Sequence, residues 1–156
     1  MSPDAPQPAD GPSTALRLDD QLCFALYAAT NAIVRSYRPL LKELGLTYPQ
    51  YLVMMALWEE DEISLSDLAG RLDLPAHGLS PVIERLEQAH LLDRRRDEDD
   101  RRVFRAALTG AGRDLEQQAA IAQHRVRCDT ELAPDELARL RTELHDLSAR
   151  LTGHLG

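Results

Sequence analysis

A mainly α-helical fold carrying one short β hairpin is the class this sequence predicts, and three observations point to it. Apolar residues make up 44% of the 156, yet there are only one Trp, four Tyr and two Phe, and leucine and alanine dominate. Such a composition favours helix over sheet. Apolar positions recur at steps of three and four along nearly the whole chain, the period of helices that bury one face. That period gives way to alternation in one place, between Leu91 and Leu108, where arginine-rich arms flank the acidic turn Asp97-Glu98-Asp99-Asp100. The length suits a single domain over residues 15–156.

The first fourteen residues contain four prolines, no Lys or Arg and no apolar run. Residues 1–14 are therefore expected to form a disordered tail, neither a secretory signal nor a membrane span. From Leu16 the positions Leu18, Leu22, Leu26, Ala29 and Ile33 keep helical spacing to about Tyr37, and Pro39, which has no N–H to donate, is expected to end the ladder. A second stripe on the same helix joins Cys23, Tyr27, Thr30, Val34 and Tyr37. A short helical turn over Leu40 to Leu44 closes at Gly45. Thr47 is a candidate N-cap and Pro49 suits a first turn, so a helix should follow through Gln50, Tyr51, Leu52, Met54, Met55, Leu57 and Trp58. The acidic run Glu59 to Glu62 reads as a solvated loop.

Two helices separated by a turn come next. Ser64 and Asp67 have capping-box spacing, in which two orphan backbone donors are satisfied reciprocally, and Leu65, Leu68, Ala69 and Leu72 fall on one face. In the second helix Leu79, Val82, Ile83, Leu86 and Ala89 form the buried stripe, leaving His77, Ser80, Glu84, Arg85 and Gln88 outward. With the hairpin this makes a winged helix-turn-helix with a two-stranded β wing, over residues 47–108. Thr109 can then cap a helix reaching Cys128. After a break at Asp129 to Ala133, Pro134 opens a last helix whose Leu137, Leu140, Leu144, Leu147, Leu151 and Leu155 form a continuous seam. Because the head closes its own small core, residues 15–46 and 109–156 are expected to be dimerisation helices that bury each other across a twofold axis.

The charge pattern supports DNA as the partner. From Arg94 to Arg105 six arginines face four acids, in a chain whose formal charge is −8. Guanidinium groups gathered at a tip against the global sign suit phosphate and narrow-groove contact, while an acidic body repels DNA elsewhere. Candidate contacts are His77, Ser80 and Arg85 on the recognition helix, with Arg94, Arg95, Arg96, Arg101 and Arg102 on the wing. Two cysteines far apart, with no C-x-x-C pair, exclude a disulfide framework and fit a cytoplasmic protein with reduced thiols. His124 and Cys128 have metal-ligand spacing, but no further ligand clusters with them, so neither a metal nor a cofactor is expected. His90, His145 and His154 read as surface residues.

This layout resembles the MarR family of dimeric winged-helix regulators over about Leu16 to Leu151. Its wing run R-x-x-D-x-x-D-R-R stands at Arg94 to Arg102, followed by Leu108-Thr109. Within that family the chain is similar to the organic hydroperoxide resistance regulators. The shared segments are L-x-x-Q-L-C-F-x-L-Y-A at Leu18 to Ala28, Y-R-P-L-L at Tyr37 to Leu41 and L-T-Y-P-Q-Y-L at Leu46 to Leu52. The resemblance implies that Cys23 is a peroxide-reactive thiol, hydrogen-bonded by Tyr37 and Tyr48 of the partner subunit, with Tyr27 lining the site. It implies further that Cys128 is the resolving cysteine of a two-cysteine subset. One departure is His77: such regulators usually begin this helix S-G-T-L-T-P, whereas the segment here runs Ala76-His77-Gly78-Leu79-Ser80-Pro81, in which Gly78, Leu79, Ser80 and Pro81 keep the pattern and His77 does not. That puts the operator sequence in doubt.

Spacing tests the implied roles. Cys23 and Tyr37 are fourteen residues apart, about 21 Å along one helix at ~1.5 Å per residue, so they can meet only between two copies of the chain. The implied chemistry is oxidation of Cys23 by an organic hydroperoxide to a sulfenic acid, condensation with Cys128, and release of a pseudo-palindromic double-stranded operator by the homodimer. Phe24, Leu26, Met54, Met55 and Trp58 are candidate walls favouring an organic peroxide. Two other readings stand beside it: a repressor released by a small aromatic ligand with Cys23 merely structural, and a thiol peroxidase. The wing and the lack of a recycling motif weigh against an enzyme.

Overall fold

Among residues 16–155, which the computed structural model describes, the chain forms seven α-helices and one small antiparallel sheet. The tail expected over residues 1–14 lies outside the described residues. After a 3-10 turn at Leu18–Asp20, α1 runs unbroken over Leu22–Leu44. Pro39 therefore does not end the helix. It sits on an exposed face, where the carbonyl deprived of its N–H partner can turn to water, while Leu41, 1% exposed, anchors the last turns in the core. Gly45 stops the helix instead. At φ 71 it takes the left-handed conformation open to glycine, and the Leu46 N–H closes back on the Leu41 carbonyl at 3.0 Å.

Helix α2, Tyr48–Glu59, begins with a reciprocal box: Gln50 N–H donates to Thr47 Oγ1 at 3.4 Å and Thr47 N–H donates to Gln50 Oε1 at 3.0 Å. Apolar on several sides, it is the axis of the core, with Val53, Met54 and Leu57 fully enclosed. Helices α3, Leu65–Arg71, and α4, Ala76–Gln88, pack onto it through Leu68, Ala69, Leu79, Ile83 and Leu86. Each large aliphatic side chain buried there contributes roughly 1.5–3 kcal/mol. Ser64 accepts from Asp67 N–H at 3.0 Å, one half of the expected reciprocal pair. Ser64 also stands opposite Arg105 in the sheet.

The sheet has three strands: β1, Ile63–Ser64; β2, Leu92–Arg96; and β3, Phe104–Leu108, in the order β1-β3-β2. The hairpin β2–β3 is the expected two-stranded wing, in register Leu92↔Leu108 through Arg96↔Phe104. The added strand aligns Ile63 with Ala106 and ties the start of α3 to the wing's base. The acidic run before it is not simply solvated. Asp61 accepts from Leu108 N–H at 2.8 Å and from Arg113 at 2.9 Å, pinning the α2–β1 turn to β3 and to the next helix.

The helix expected after Thr109 divides at Leu115 into α5, Gly110–Asp114, and α6, Glu116–Asp129. Close packing fixes α5: a Cβ at Gly112 would stand 2.0 Å from the Leu91 carbonyl oxygen. The Gly112 carbonyl accepts from Trp58 Nε1 at 2.9 Å, joining α2 to α5. Helix α7, Pro134–Gly153, has no buried residue, and its Leu140, Leu144 and Leu151 are exposed. The leucine seam ends at Leu151 rather than Leu155, since the helix stops at Gly153. Leu22, Tyr27 and Ile33 on the first half of α1 are likewise exposed. No helix among the described residues is long and apolar enough to cross a membrane.

Candidate functional site

The expected site residues fall into two main groups, one on the head and one along α1 and α2. On α4 the helical period that buries Leu79, Ile83 and Leu86 turns His77, Ser80, Glu84 and Arg85 outward together. The wing stands beside them. Its arginines are not equivalent, because several are engaged within the protein. Arg94 Nε donates to Glu87 at 2.8 Å and its N–H to the same carboxylate at 3.1 Å, clamping β2 to α4. Arg102 pairs with Asp100 at 3.1 Å. Arg105 pairs with Asp97, whose other oxygen accepts the N–H groups of Asp99 and Asp100 and so shapes the turn. The hydrogen bond from Arg105 first, then those two backbone donors, hold the Asp97 carboxyl below the usual carboxylate range.

Arg95 reaches Glu62 and Asp93 only at 3.7 and 3.8 Å. Arg96 lies over the Phe104 ring, 4.9 Å from its centroid, and donates to the Arg101 carbonyl at 2.8 Å. Among the described residues, Arg96 and Arg101 have no carboxylate partner, and both are exposed. Of the five wing candidates, these two carry charge with no counter-charge beside it, while Arg94 is clamped to Glu87 and Arg102, 91% exposed, pairs with Asp100.

The second group is built where α1 meets α2. Tyr37 and Tyr48 stand with ring centroids 5.7 Å apart, and Tyr51 joins them at 5.2 Å from Tyr37 and 6.3 Å from Tyr48. Tyr51, 2% exposed, lies beneath both and belongs to the cluster, although only Tyr37 and Tyr48 were expected there. Its signal was present, because position 51 is one turn beyond 48 on the same helical face. Burial raises the Tyr48 and Tyr51 hydroxyls above the ordinary tyrosine value, and the neighbouring Tyr37 raises both further. Both therefore remain protonated near neutrality and able to donate. A 580 Å³ cavity opens beside Tyr48, lined by Val34 and Leu41 and by Arg38 and Lys42.

Cys23 is exposed on the first turn of α1, with Tyr27 one turn along and also exposed. Within one protomer the thiol and Tyr37 lie on a single continuous helix, fourteen residues apart. The fold does not bring them together. Cys128 is exposed on the last turn of α6, its sulfur 3.7 Å from His124 Nε2. The expected walls separate: Met54 belongs to the head's core, whereas Met55 and Trp58 line a 290 Å³ cavity with Tyr51, Glu116 and Gln123 between α2 and α6. Among the described residues no cluster of His, Cys, Asp and Glu could hold a metal ion.

Comparison with known proteins adds to this geometry. The MarR family profile matches residues 46–104. The HTH-type transcriptional regulator TtmR of Methylorubrum extorquens is 43% identical over 135 residues, 82% of this chain and 69% of that protein. The organic hydroperoxide resistance transcriptional regulator of Bacillus subtilis is 33% identical over 132 residues, 85% of this chain and 90% of that one. Among solved structures, reduced AbfR bound to DNA aligns with a TM-score of 0.75 at 30% identity, covering 89% of this chain and 95% of AbfR, a protein of Staphylococcus epidermidis. The disulfide-formed structure of AbfR aligns at 0.61, with 30% identity and coverage of 88% and 92%. Bordetella bronchiseptica BpsR, described as regulated in DNA binding by 6-hydroxynicotinic acid, aligns at 0.78 with 26% identity, covering 86% and 97%.

Proposed function

Because the chain belongs to the MarR family of DNA-binding transcriptional regulators, we propose that it is a repressor whose Cys23 senses organic hydroperoxides and whose oxidation releases the operator. The observation that carries this reading is the split site: an exposed thiol at one end of α1, and a cluster of three tyrosine rings at the other. Two antiparallel copies of α1 would place Cys23 of one protomer against Tyr37 and Tyr48 of its partner. The exposed apolar faces of α1 and α7 are the surfaces such a dimer would cover. Similarity to a Bacillus regulator named for organic hydroperoxide resistance supports the same reading, as does similarity to AbfR, solved both reduced on DNA and with a disulfide formed.

The chemistry follows from the residues. Phenolic donors on sulfur favour the thiolate without adding a cation. The thiolate attacks one peroxide oxygen, the O–O bond breaks, and the departing alkoxide takes a proton to leave as alcohol, with Cys23 as sulfenic acid. The cavity beside Tyr48 offers apolar volume for the organic substituent. Cys128 then condenses with the sulfenic acid. Movement of α6 toward α1 would shift the two heads, and paired recognition helices must stand about 34–36 Å apart to reach successive major grooves. His77, Ser80 and Arg85 read bases in this account, and Arg96 and Arg101 carry most of the wing's free charge.

Titrating the purified protein with cumene hydroperoxide while following operator binding tests this. Wild type should release DNA and Cys23→Ser should not; release by the serine variant would refute the thiol as sensor. One observation favours a second reading: the 290 Å³ cavity lined by Tyr51, Met55 and Trp58 has the size and aromatic walls for a small planar ligand, and the similar BpsR is regulated in DNA binding by 6-hydroxynicotinic acid. Release of DNA by an aromatic acid in the Cys23→Ser protein would favour it.

A further inference from the structure

His124 and Arg127, on the same face of α6 as Cys128, form a hydrogen-bonded series that ends on its sulfur. Arg127 donates from Nη2 to His124 Nδ1 at 3.0 Å, and Nε2 of the same ring stands 3.7 Å from Cys128 Sγ. A guanidinium has donors and no acceptor, so Nδ1 must present its lone pair to it. A neutral imidazole has one N–H, which is thereby left on Nε2, aimed at the sulfur. Helical spacing alone brings the three together at i, i+3 and i+4. The tautomer is therefore a consequence of Arg127 rather than of Cys128.

We infer that His124 is a positioning residue for the resolving step, donating from Nε2–H to the Cys128 sulfur in a tautomer set by Arg127. This rests on the reading of Cys23 and Cys128 given above. In that step the Cys128 sulfur displaces hydroxide from the sulfenic sulfur of Cys23. The S–S bond forms, the S–O bond breaks, and the thiol proton leaves with the hydroxide as water. Between loss of its proton and formation of the S–S bond the sulfur is anionic. A donor already held on it stabilises that charge and fixes the direction of attack without reorientation.

The two steps can be followed separately with cumene hydroperoxide: consumption of the Cys23 thiol, with the sulfenic acid trapped by dimedone, and disulfide formation by mass. In His124→Leu, Cys23 should be consumed at the wild-type rate. The disulfide should form about ten- to a hundred-fold more slowly, the effect of losing one hydrogen bond to a charged group, and the dimedone adduct should accumulate. His124→Gln, which keeps an N–H donor at that position, should recover much of the rate, and Arg127→Leu should fall between. His124 is exposed, so these changes leave the core untouched. Disulfide formation at the wild-type rate in His124→Leu, or equal slowing in the Leu and Gln variants, would overturn the inference. Failure of wild-type Cys23 to react at all overturns the sensing reading and this step with it, and is visible in the first measurement alone.

Discussion

Replacing Gly112 by Ala would place a methyl carbon 2.0 Å from the Leu91 carbonyl oxygen and 3.2 Å from Leu108 Cδ2. The first contact is with backbone, in a strand entry whose carbonyl also accepts Thr109 N–H at 3.1 Å, so no side-chain rotation relieves it. Helix α5 must move away by more than an ångström. That displacement stretches the Trp58 Nε1 bond to the Gly112 carbonyl, now 2.9 Å, and the cap from Gly112 N–H to Thr109 Oγ1, now 3.0 Å. Overpacking of this kind costs about 1–3 kcal/mol, and the two weakened part-buried hydrogen bonds about 1 kcal/mol each, for a total of roughly 3–5 kcal/mol. At about 2–4 °C per kcal/mol for a chain of this size, the Tm should fall by roughly 6–20 °C. Urea denaturation read by Trp58 fluorescence measures the same loss independently. A variant within about 0.5 kcal/mol of wild type, the range of an ordinary surface change, would refute the claim that α5 is seated by contact at Gly112.

Other outcomes follow from single groups. Burial alone would raise the Asp61 carboxyl, but donations from the Leu108 and Glu62 backbone and from Arg113 outweigh it and hold it below the usual range. A depressed carboxyl stabilises the fold above its unfolded value, near about 3.9, and that contribution is lost as pH falls through the folded value. Asp61→Asn should therefore be less stable at neutrality and lose less on acidification, and parallel stability curves would contradict this. Arg101→Ala should lower the slope of log affinity against log salt by about 0.9, as one lost phosphate contact does, whereas Arg94→Ala should act chiefly on stability through Glu87. Tyr48→Phe should slow oxidation of Cys23 while leaving the melting curve nearly unchanged; an unaltered oxidation rate would exclude its hydroxyl as a donor.

What the sequence disclosed was local, and what it concealed depended on distant partners. The Thr47 and Ser64 caps, the outward row on α4 and the wing could be read because each is decided within a few residues. Pro39 was misjudged because its local penalty is relieved by solvent and opposed by Leu41 in a core that the residues around it do not reveal. Asp61 passed for a solvated acid because Leu108 and Arg113 are 47 and 52 positions away. The strand at Ile63–Ser64 is too short to show alternation. Which wing arginines are free is set by the turn geometry that matches Asp97 to Arg105 and Asp100 to Arg102, not by their number. Tyr51 belongs to the phenol cluster because the Gly45 reversal folds α2 back on α1.

If the thiol and the phenols meet between protomers, mixed dimers reveal it directly. Pairing a Cys23→Ser protomer with a Tyr37→Phe protomer leaves one Cys23 facing one intact partner Tyr37. Pairing wild type with a doubly substituted protomer leaves the single Cys23 facing Phe. Peroxide oxidation of the remaining Cys23 should run at the wild-type rate in the first pair and slowly in the second. The reverse order, or equal rates, would contradict an intersubunit site.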